Sequence, residues 1–184
     1  MLKALLFLAA SMLVSADFWD QKDPAQWLPQ EVDRLLTNSP WAKPATSAFA
    51  DAVIETMPRM QTIIRWESAR PIREALHRPL PPETTDAFVI GVTGMPIMGQ
   101  ESDSSELAES LKATTWLAMR GKARWHPFRV HFEAKGAVLF FFDKDAGKLN
   151  ADSPEVTFVS NLARFAFKAR FEPKQMRYKG KPAM

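Results

Sequence analysis

The sequence predicts an α+β domain in which an antiparallel sheet of five to seven strands carries two or three helices on one face, its apolar face. Three observations lead to this class. Apolar residues recur at helical spacing in short segments, whereas apolar and polar residues alternate in much of the second half of the chain. No internal repeat or low-complexity run is present. At 184 residues the chain fits one domain with a buried core.

The first 16 residues have the pattern of a secretory signal peptide. Lys3 gives a positive start, an apolar run follows from Ala4, and Val14-Ser15-Ala16 is a small-x-small cleavage site. The apolar run, which ends at Ala16, is shorter than the roughly 20 residues that a spanning helix needs. We therefore expect cleavage after Ala16 and an exported bacterial protein, periplasmic or secreted, with no transmembrane segment in its mature chain.

The start of the mature chain predicts a helical arm. Pro24 and Pro29 each offer a helix start, because proline is tolerated in the first turn of a helix. Asn38-Ser39-Pro40 ends the helix, since the residue before a proline avoids the α region, and an irregular connection is expected after it. We divide the mature chain into this arm, residues 17–47, and a single α+β domain, residues 48–184.

Two further helices are predicted within the domain. Pro71 opens a short helix at 71–78. The segment Asp103-Ser104-Ser105-Glu106 resembles a capping box and begins a longer helix, which Gly121 ends. Residues 48–60 are compatible with either a strand or a short helix, and the sequence leaves that choice open.

Strands are predicted where β-branched and aromatic residues dominate or alternate with polar ones. Residues 87–93 and 137–142 are apolar throughout, which is typical of strands buried on both faces. In 128–133 and 165–171 every second residue is apolar, which predicts one buried and one solvated face. The remaining predicted strands are residues 62–66 and 155–160.

The solvated faces of two predicted strands carry cationic side chains. Arg129 and His131 share one face of the first strand, and Lys168 and Arg170 share one face of the second. If the two strands lie close together, the four side chains form one patch for an anionic partner. The alternative is a merely solvated sheet face, which we favour.

The charges of the mature chain are unevenly distributed. Residues 17–119 carry 9 basic and 15 acidic side chains, whereas residues 120–184 carry 14 basic and 6 acidic ones. Such a division is compatible with a basic surface in the second part. The alternative, which we favour, is that the two parts intermingle in one globule and neutralise each other.

The common catalytic and metal-binding motifs are missing from the sequence. The absence of Cys excludes disulfides, cysteine nucleophiles, thiolate zinc sites and iron–sulfur clusters. No HExxH and no Gly-x-Ser-x-Gly elbow is present. Asp143-Lys144-Asp145 fails the EF-hand pattern, and the glycines Gly91, Gly94 and Gly99 match no phosphate loop. We therefore predict no catalytic residue, no metal and no cofactor.

Two alternative functions stay open at this point. One is a hydrolase or metal-dependent enzyme that uses His126, His131 and a nearby carboxylate such as Glu133. Against it, the spacing of five residues places the two histidines on opposite faces of a continuous strand. The other alternative is a carrier of a small apolar ligand, which requires an apolar cavity.

Several short segments spread over the mature chain form a recognisable set. They are Trp27 with Val32, Leu35 and Leu36, then Ser39-Pro40-Trp41-Ala42, Arg65-Trp66-Glu67-Ser68-Ala69, and the ending Met176, Tyr178 and Gly180. The set resembles small exported proteins of acidobacterial type to which no activity is assigned. The resemblance implies export and a shared fold, and it supplies no catalytic residues.

The function that we predict is binding rather than catalysis. We expect an exported, non-catalytic binding or interaction domain in the cell envelope or the secreted space. Its expected partner is an anionic envelope component, a lipid head group or a glycan, or another envelope protein. No nucleic acid is expected, because export removes the protein from the cytoplasm.

Overall fold

The structure is a computed structural model. It describes the following residues: 17–46, 48–49, 61–79, 86–94, 104–121, 123–133, 136–162 and 165–184. The predicted signal peptide, the capping residue Asp103 and residues 50–60 lie outside this set. Within it, the predicted α+β class is confirmed, because helices pack on an antiparallel five-stranded sheet that two further sheets accompany.

Short helices occur along most of the described chain. They are α1 (Phe18–Gln21), α2 (Pro29–Thr37), α3 (Arg70–Leu76), α4 (Ser104–Thr114) and α5 (Lys144–Gly147). Pro29 stands in the first turn of α2, where Glu31 accepts a hydrogen bond of 2.9 Å from the backbone N–H of Leu28. His77 ends α3 in the left-handed conformation.

The strands form three antiparallel sheets. They are β1 (Ala42–Thr46), β2 (Ala48–Phe49), β3 (Gln61–Trp66), β4 (Ala87–Thr93), β5 (Thr115–Met119), β6 (Arg129–Phe132), β7 (Val138–Asp143), β8 (Val156–Leu162), β9 (Phe165–Phe171), β10 (Arg177–Tyr178) and β11 (Lys181–Pro182). The five-stranded sheet has the order β1-β3-β4-β7-β6, and the four-stranded sheet has the order β2-β9-β8-β5. β10 and β11 form a small hairpin.

The main core includes aromatic side chains from both larger sheets. Phe140 and Phe142 of β7 lie 5.5 and 6.4 Å, between ring centroids, from Phe158 of β8. In the same core Trp66 of β3 lies 5.4 Å from Phe171 of β9. Each of these side chains is at most 1% exposed. Burial of one such side chain contributes roughly 1.5–3 kcal/mol, so the contact between the sheets is a major source of stability.

The five-stranded sheet is buried on its other face as well. Ala87, Val89, Leu139 and Phe141 form a second buried cluster there. This agrees with the uniformly apolar sequences of 87–93 and 137–142, which predicted strands without a solvated face. α2 contacts β1, β3 and α3.

Strand β1 lies in a segment for which the sequence predicted an irregular connection within the N-terminal arm. Ala42–Thr46 pairs antiparallel with Gln61–Trp66. Because β1 is the edge strand of its sheet, Pro44 is tolerated there despite its missing N–H. The arm predicted at 17–47 therefore contributes a strand to the sheet.

The predicted helix up to Gly121 is wrong over its last turns. α4 ends at Thr114, and Thr115–Met119 forms strand β5, which pairs with β8. Thr115, Leu117 and Met119 are buried, whereas Trp116 and Ala118 are partly exposed. The strand has a period of two, so it buries one face of β5 against the core and leaves the other face partly exposed. A helix would not place these alternate residues on one side.

The N-terminal arm and the end of the chain are joined by aromatic contacts. Trp19 lies 5.5 Å from Trp41, and Trp27 lies 6.4 Å from Tyr178, in both cases with rings edge to face. The Nε1 of Trp41 donates a hydrogen bond of 2.5 Å to the carbonyl of Ala183. The tryptophans of the arm therefore hold the first and last parts of the described chain together.

Candidate functional site

The four cationic residues predicted as one patch lie on two different sheets. Arg129 and His131 are on β6, at the edge of the five-stranded sheet. Lys168 and Arg170 are on β9, inside the four-stranded sheet. The structure therefore brings the residues together in two pairs rather than in one group, because β6 and β9 do not belong to the same sheet.

The pair on β9 belongs to a larger basic surface. Phe167, Ala169 and Phe171 are buried, so Lys168 and Arg170 between them point to the opposite, outer face of the four-stranded sheet. Lys168 is opposite Val159, and Val159 is opposite Trp116, so these three residues form a row across the outer face. We call this surface the basic face and define it by Trp116, Arg120, Arg124, Lys168 and Arg170.

Trp116 is the centre of an aromatic and cationic stack on the basic face. The guanidinium carbon of Arg124 lies 4.4 Å from the centroid of the Trp116 ring, which is a cation–π geometry. The ring of His126 meets the same indole edge to face, with 6.2 Å between centroids. This places His126 beside the four-stranded sheet, whereas His131 lies opposite Leu139 in the five-stranded sheet.

The basic face is open to solvent. None of its strand residues that the structure describes, at 116, 118, 157, 159, 161, 166, 168 and 170, is buried. Glu155 lies at one end, 3.6 Å from Nε of Arg170, beside a cavity of about 590 Å³ that Arg120 also lines. Arg120, Arg124, Lys168 and Arg170 thus lie on the face that carries Trp116, with Glu155 beside Arg170, and this excess of cations makes the surface complementary to an anion.

The histidine-based enzyme alternative finds no assembled site in the described part of the chain. Nδ1 of His126 donates a hydrogen bond of 3.2 Å to the carbonyl of Lys112, and Glu133 contacts Arg78 at 3.3 Å. Over the described ranges, no group of three or more His, Asp or Glu side chains is arranged to hold a metal ion. Asp143, which the sequence analysis tested as a calcium ligand, instead accepts a hydrogen bond from the N–H of Asp145 at the start of α5.

An ion pair lies on the face of the five-stranded sheet that also carries the second buried cluster. Nη2 and Nε of Arg65 contact Oε1 of Glu67 at 2.6 and 2.7 Å, and both side chains are nearly inaccessible. The Glu67 side chain covers Gly91, where an added Cβ would lie 2.7 Å from Oε1. Gly91, which the sequence analysis considered as part of a loop, thus provides the space that the carboxylate occupies.

Burial raises the pKa of Glu67 above its ordinary value, although the charge and hydrogen bonds of Arg65 act to lower it. Glu133 raises the pKa further and Arg78 opposes that effect. The sequence analysis missed this pair. The available signals were Arg65 and Glu67 two residues apart, and a glycine within the apolar strand 87–93.

Replacing Gly91 by alanine is expected to destabilise the protein by about 1–3 kcal/mol. The new methyl group would overlap Glu67 and force its carboxylate away from Arg65. Urea unfolding of the wild type and G91A measures the difference. In a Glu67→Ala background the same substitution should cost much less, because the overlapping atoms are gone; an equal cost in both backgrounds would contradict the assignment.

Among the helices that the structure describes, none is both long and apolar enough to cross a membrane. Comparisons with protein-family models, with curated proteins and with solved structures find no match for the chain.

Proposed function

We propose that the protein is an exported, non-catalytic binding domain that recognises an acidic polysaccharide of the cell envelope through its basic face. The observation that carries the proposal is the open row from Lys168 to Trp116, with Arg124 stacked on the indole. Export is supported by the signal-peptide pattern of residues 1–16. The cations attract carboxylate or sulfate groups, and the exposed part of the Trp116 indole, which Arg124 and His126 cover only partly, offers an apolar surface to the C–H groups of a sugar ring.

The composition of the basic face favours a polysaccharide over a lipid bilayer. Docking on a bilayer commonly uses large apolar side chains that enter the acyl region. The large, exposed apolar side chains of the described residues are Leu28, Leu107 and Phe128, and none of them lies on the basic face. Adjacent strands are about 4.8 Å apart, so Lys168 and Trp116 span about 10 Å, a distance that suits an extended chain.

Removing charge from the basic face is expected to weaken binding to an acidic polysaccharide. We expect the double substitution K168Q and R124Q to raise the Kd for polygalacturonate roughly five- to thirtyfold, because each exposed charge contact is worth about 0.5–1 kcal/mol. Binding of the wild type should also weaken between low and high salt. Isothermal titration calorimetry of the purified protein measures both effects.

Three comparisons make this experiment decisive. Arg129→Gln removes a cation from the other sheet and is expected to leave the Kd unchanged. Neutral dextran should not bind, and vesicles containing phosphatidylglycerol should bind less well than polygalacturonate. The proposal is wrong if R129Q weakens binding as much as the double substitution, if dextran competes, or if the vesicles are the preferred partner.

A further inference from the structure

A second cationic site lies away from the basic face, along helix α3. We propose that the cleft between Pro24 and α3 binds a small phosphate-bearing ligand. This inference is independent of the polysaccharide proposal, because the cleft and the basic face share no residue. It rests on the cavity, on the arrangement of its side chains and on their charges.

The cleft is an open surface depression with a volume of about 590 Å³. Arg70, Arg73 and His77 follow one another at spacings of three and four residues, so they lie along one side of α3 and its end. Arg78 continues the same wall just after the helix. Pro24 and Pro79 contribute apolar surface to the cleft.

The charges in the cleft leave cations available for a ligand. Glu74, the carboxylate in the wall, receives a hydrogen bond of 2.7 Å from Nε of Arg70 and another from the hydroxyl of Tyr178. Burial acts to raise the pKa of Glu74, but these two hydrogen bonds together lower it below its ordinary value. Glu74 is therefore ionised at neutral pH, with both of its oxygens occupied by protein donors.

The guanidinium groups of the wall keep donors that suit a phosphate group. Arg73 is exposed and makes no ion pair with any residue that the structure describes. Arg78 contacts Glu133 through Nη1 at 3.3 Å, which leaves Nε and Nη2 as donors. Arg70, Arg73 and Arg78 carry three positive charges, and Glu74 and Glu133 carry two negative ones, so the net charge is +1. The wall is therefore opposite in sign to a phosphomonoester, which carries a charge of about −1.5 to −2 at pH 7. Arginine is the side chain whose planar donors best fit phosphate oxygens.

The proposal is tested with glycerol 3-phosphate as the soluble probe. We expect one equivalent to bind the purified protein in isothermal titration calorimetry, and we expect R73Q to raise the Kd about tenfold, as for the loss of one charge-assisted hydrogen bond. Since Arg73 is exposed and unpaired among the described residues, R73Q should fold normally, which circular dichroism checks. R129Q on the five-stranded sheet is the matched control and should bind the probe as the wild type does, because Arg129 belongs to neither the cleft nor the basic face.

A second experiment identifies the source of the phosphate group. Phosphatidylcholine vesicles with and without phosphatidic acid are sedimented with the wild type and R73Q. Binding that requires phosphatidic acid and Arg73 supports the site with a lipid head group as its ligand, and binding of the soluble probe alone supports it with a free phosphomonoester. The proposal is overturned if neither probe binds, if neutral glycerol binds equally well, or if R73Q and R129Q affect the probe alike.

Discussion

Replacing Arg65 by methionine is expected to destabilise the protein by about 3–5 kcal/mol at pH 7. The substitution removes the cation that contacts Glu67 at 2.6 Å and leaves a carboxylate that is buried among apolar strands. It also removes the contact of Arg65 Nη1 with the carbonyl of Leu36, 3.4 Å away, which links β3 to α2. Urea unfolding followed by tryptophan fluorescence measures the loss.

The effect of R65M should depend on pH in a defined direction. Burial raises the pKa of Glu67, so this carboxyl retains its proton to higher pH in the folded chain than in the unfolded chain, whose ordinary value is 4.5. A group of this kind contributes stability that is fully present below the unfolded pKa and lost as pH rises through the folded pKa. Since Arg65 lowers the pKa of Glu67, its removal raises that pKa further. The penalty of R65M should be small near pH 4, where Glu67 is protonated, and should increase as the pH rises and the buried carboxyl ionises.

The double substitution R65M and E67L provides the matched control. A buried ion pair replaced by apolar side chains of similar volume is often nearly as stable as the original. We therefore expect the double variant to recover most of the stability that R65M loses, and to show little of its pH dependence between pH 4 and 7. Equal losses in the single and double variants would show that Glu67 is not the uncompensated charge.

The local structure of several elements could be predicted from the sequence. The alternation of apolar and polar residues in 165–171 correctly predicted strand β9 and the outward direction of Lys168 and Arg170. It could do so because the period of two is a local property of an extended chain. Pro71 similarly predicted α3, which begins one residue earlier. These predictions needed only the identity of neighbours within a few residues.

The division of the strands between two sheets could not be predicted in this way. A strand with one apolar face has the same pattern whether that face packs against a helix or against another sheet. The separation of Arg129 from Lys168 follows from strand order, which depends on contacts between residues far apart in the sequence. The end of α4 was not predicted for a related reason. Leu117 is compatible with a helix and with a strand, and only its pairing with Phe158 of β8 decides for the strand.

The ion pair between Arg65 and Glu67 also could not be predicted from the sequence alone. Arg65 and Glu67 are typical of a solvated strand end, and Gly91 is typical of a loop or a bulge. Only the register, in which Arg65 pairs with Gly91, brings the carboxylate over the glycine. The cleft along α3 likewise needs Pro24, which approaches Arg70 only in the folded chain.

Replacing Phe158 by alanine is expected to destabilise the protein by about 3–5 kcal/mol. Phe158 is fully buried on β8 and packs against Phe140 and Phe142 of the facing sheet, so its removal leaves a cavity between the two sheets. The neighbouring strands are held by backbone hydrogen bonds on both sides of β8, so they can close the cavity only in part.

Phe128 is the matched control for this substitution, because it is 54% exposed and lies outside the core. F128A should change the free energy of unfolding by no more than about 0.5 kcal/mol. A double-mutant cycle that combines F158A with Phe140→Ala should give a coupling energy of about 0.5–3 kcal/mol, because the two rings lie in contact. Additive losses would mean that Phe158 and Phe140 do not pack together, and the two-sheet core would then have to be rejected. A large loss in F158A with clear coupling establishes that the four-stranded sheet, which carries the basic face, is held in place by the five-stranded sheet.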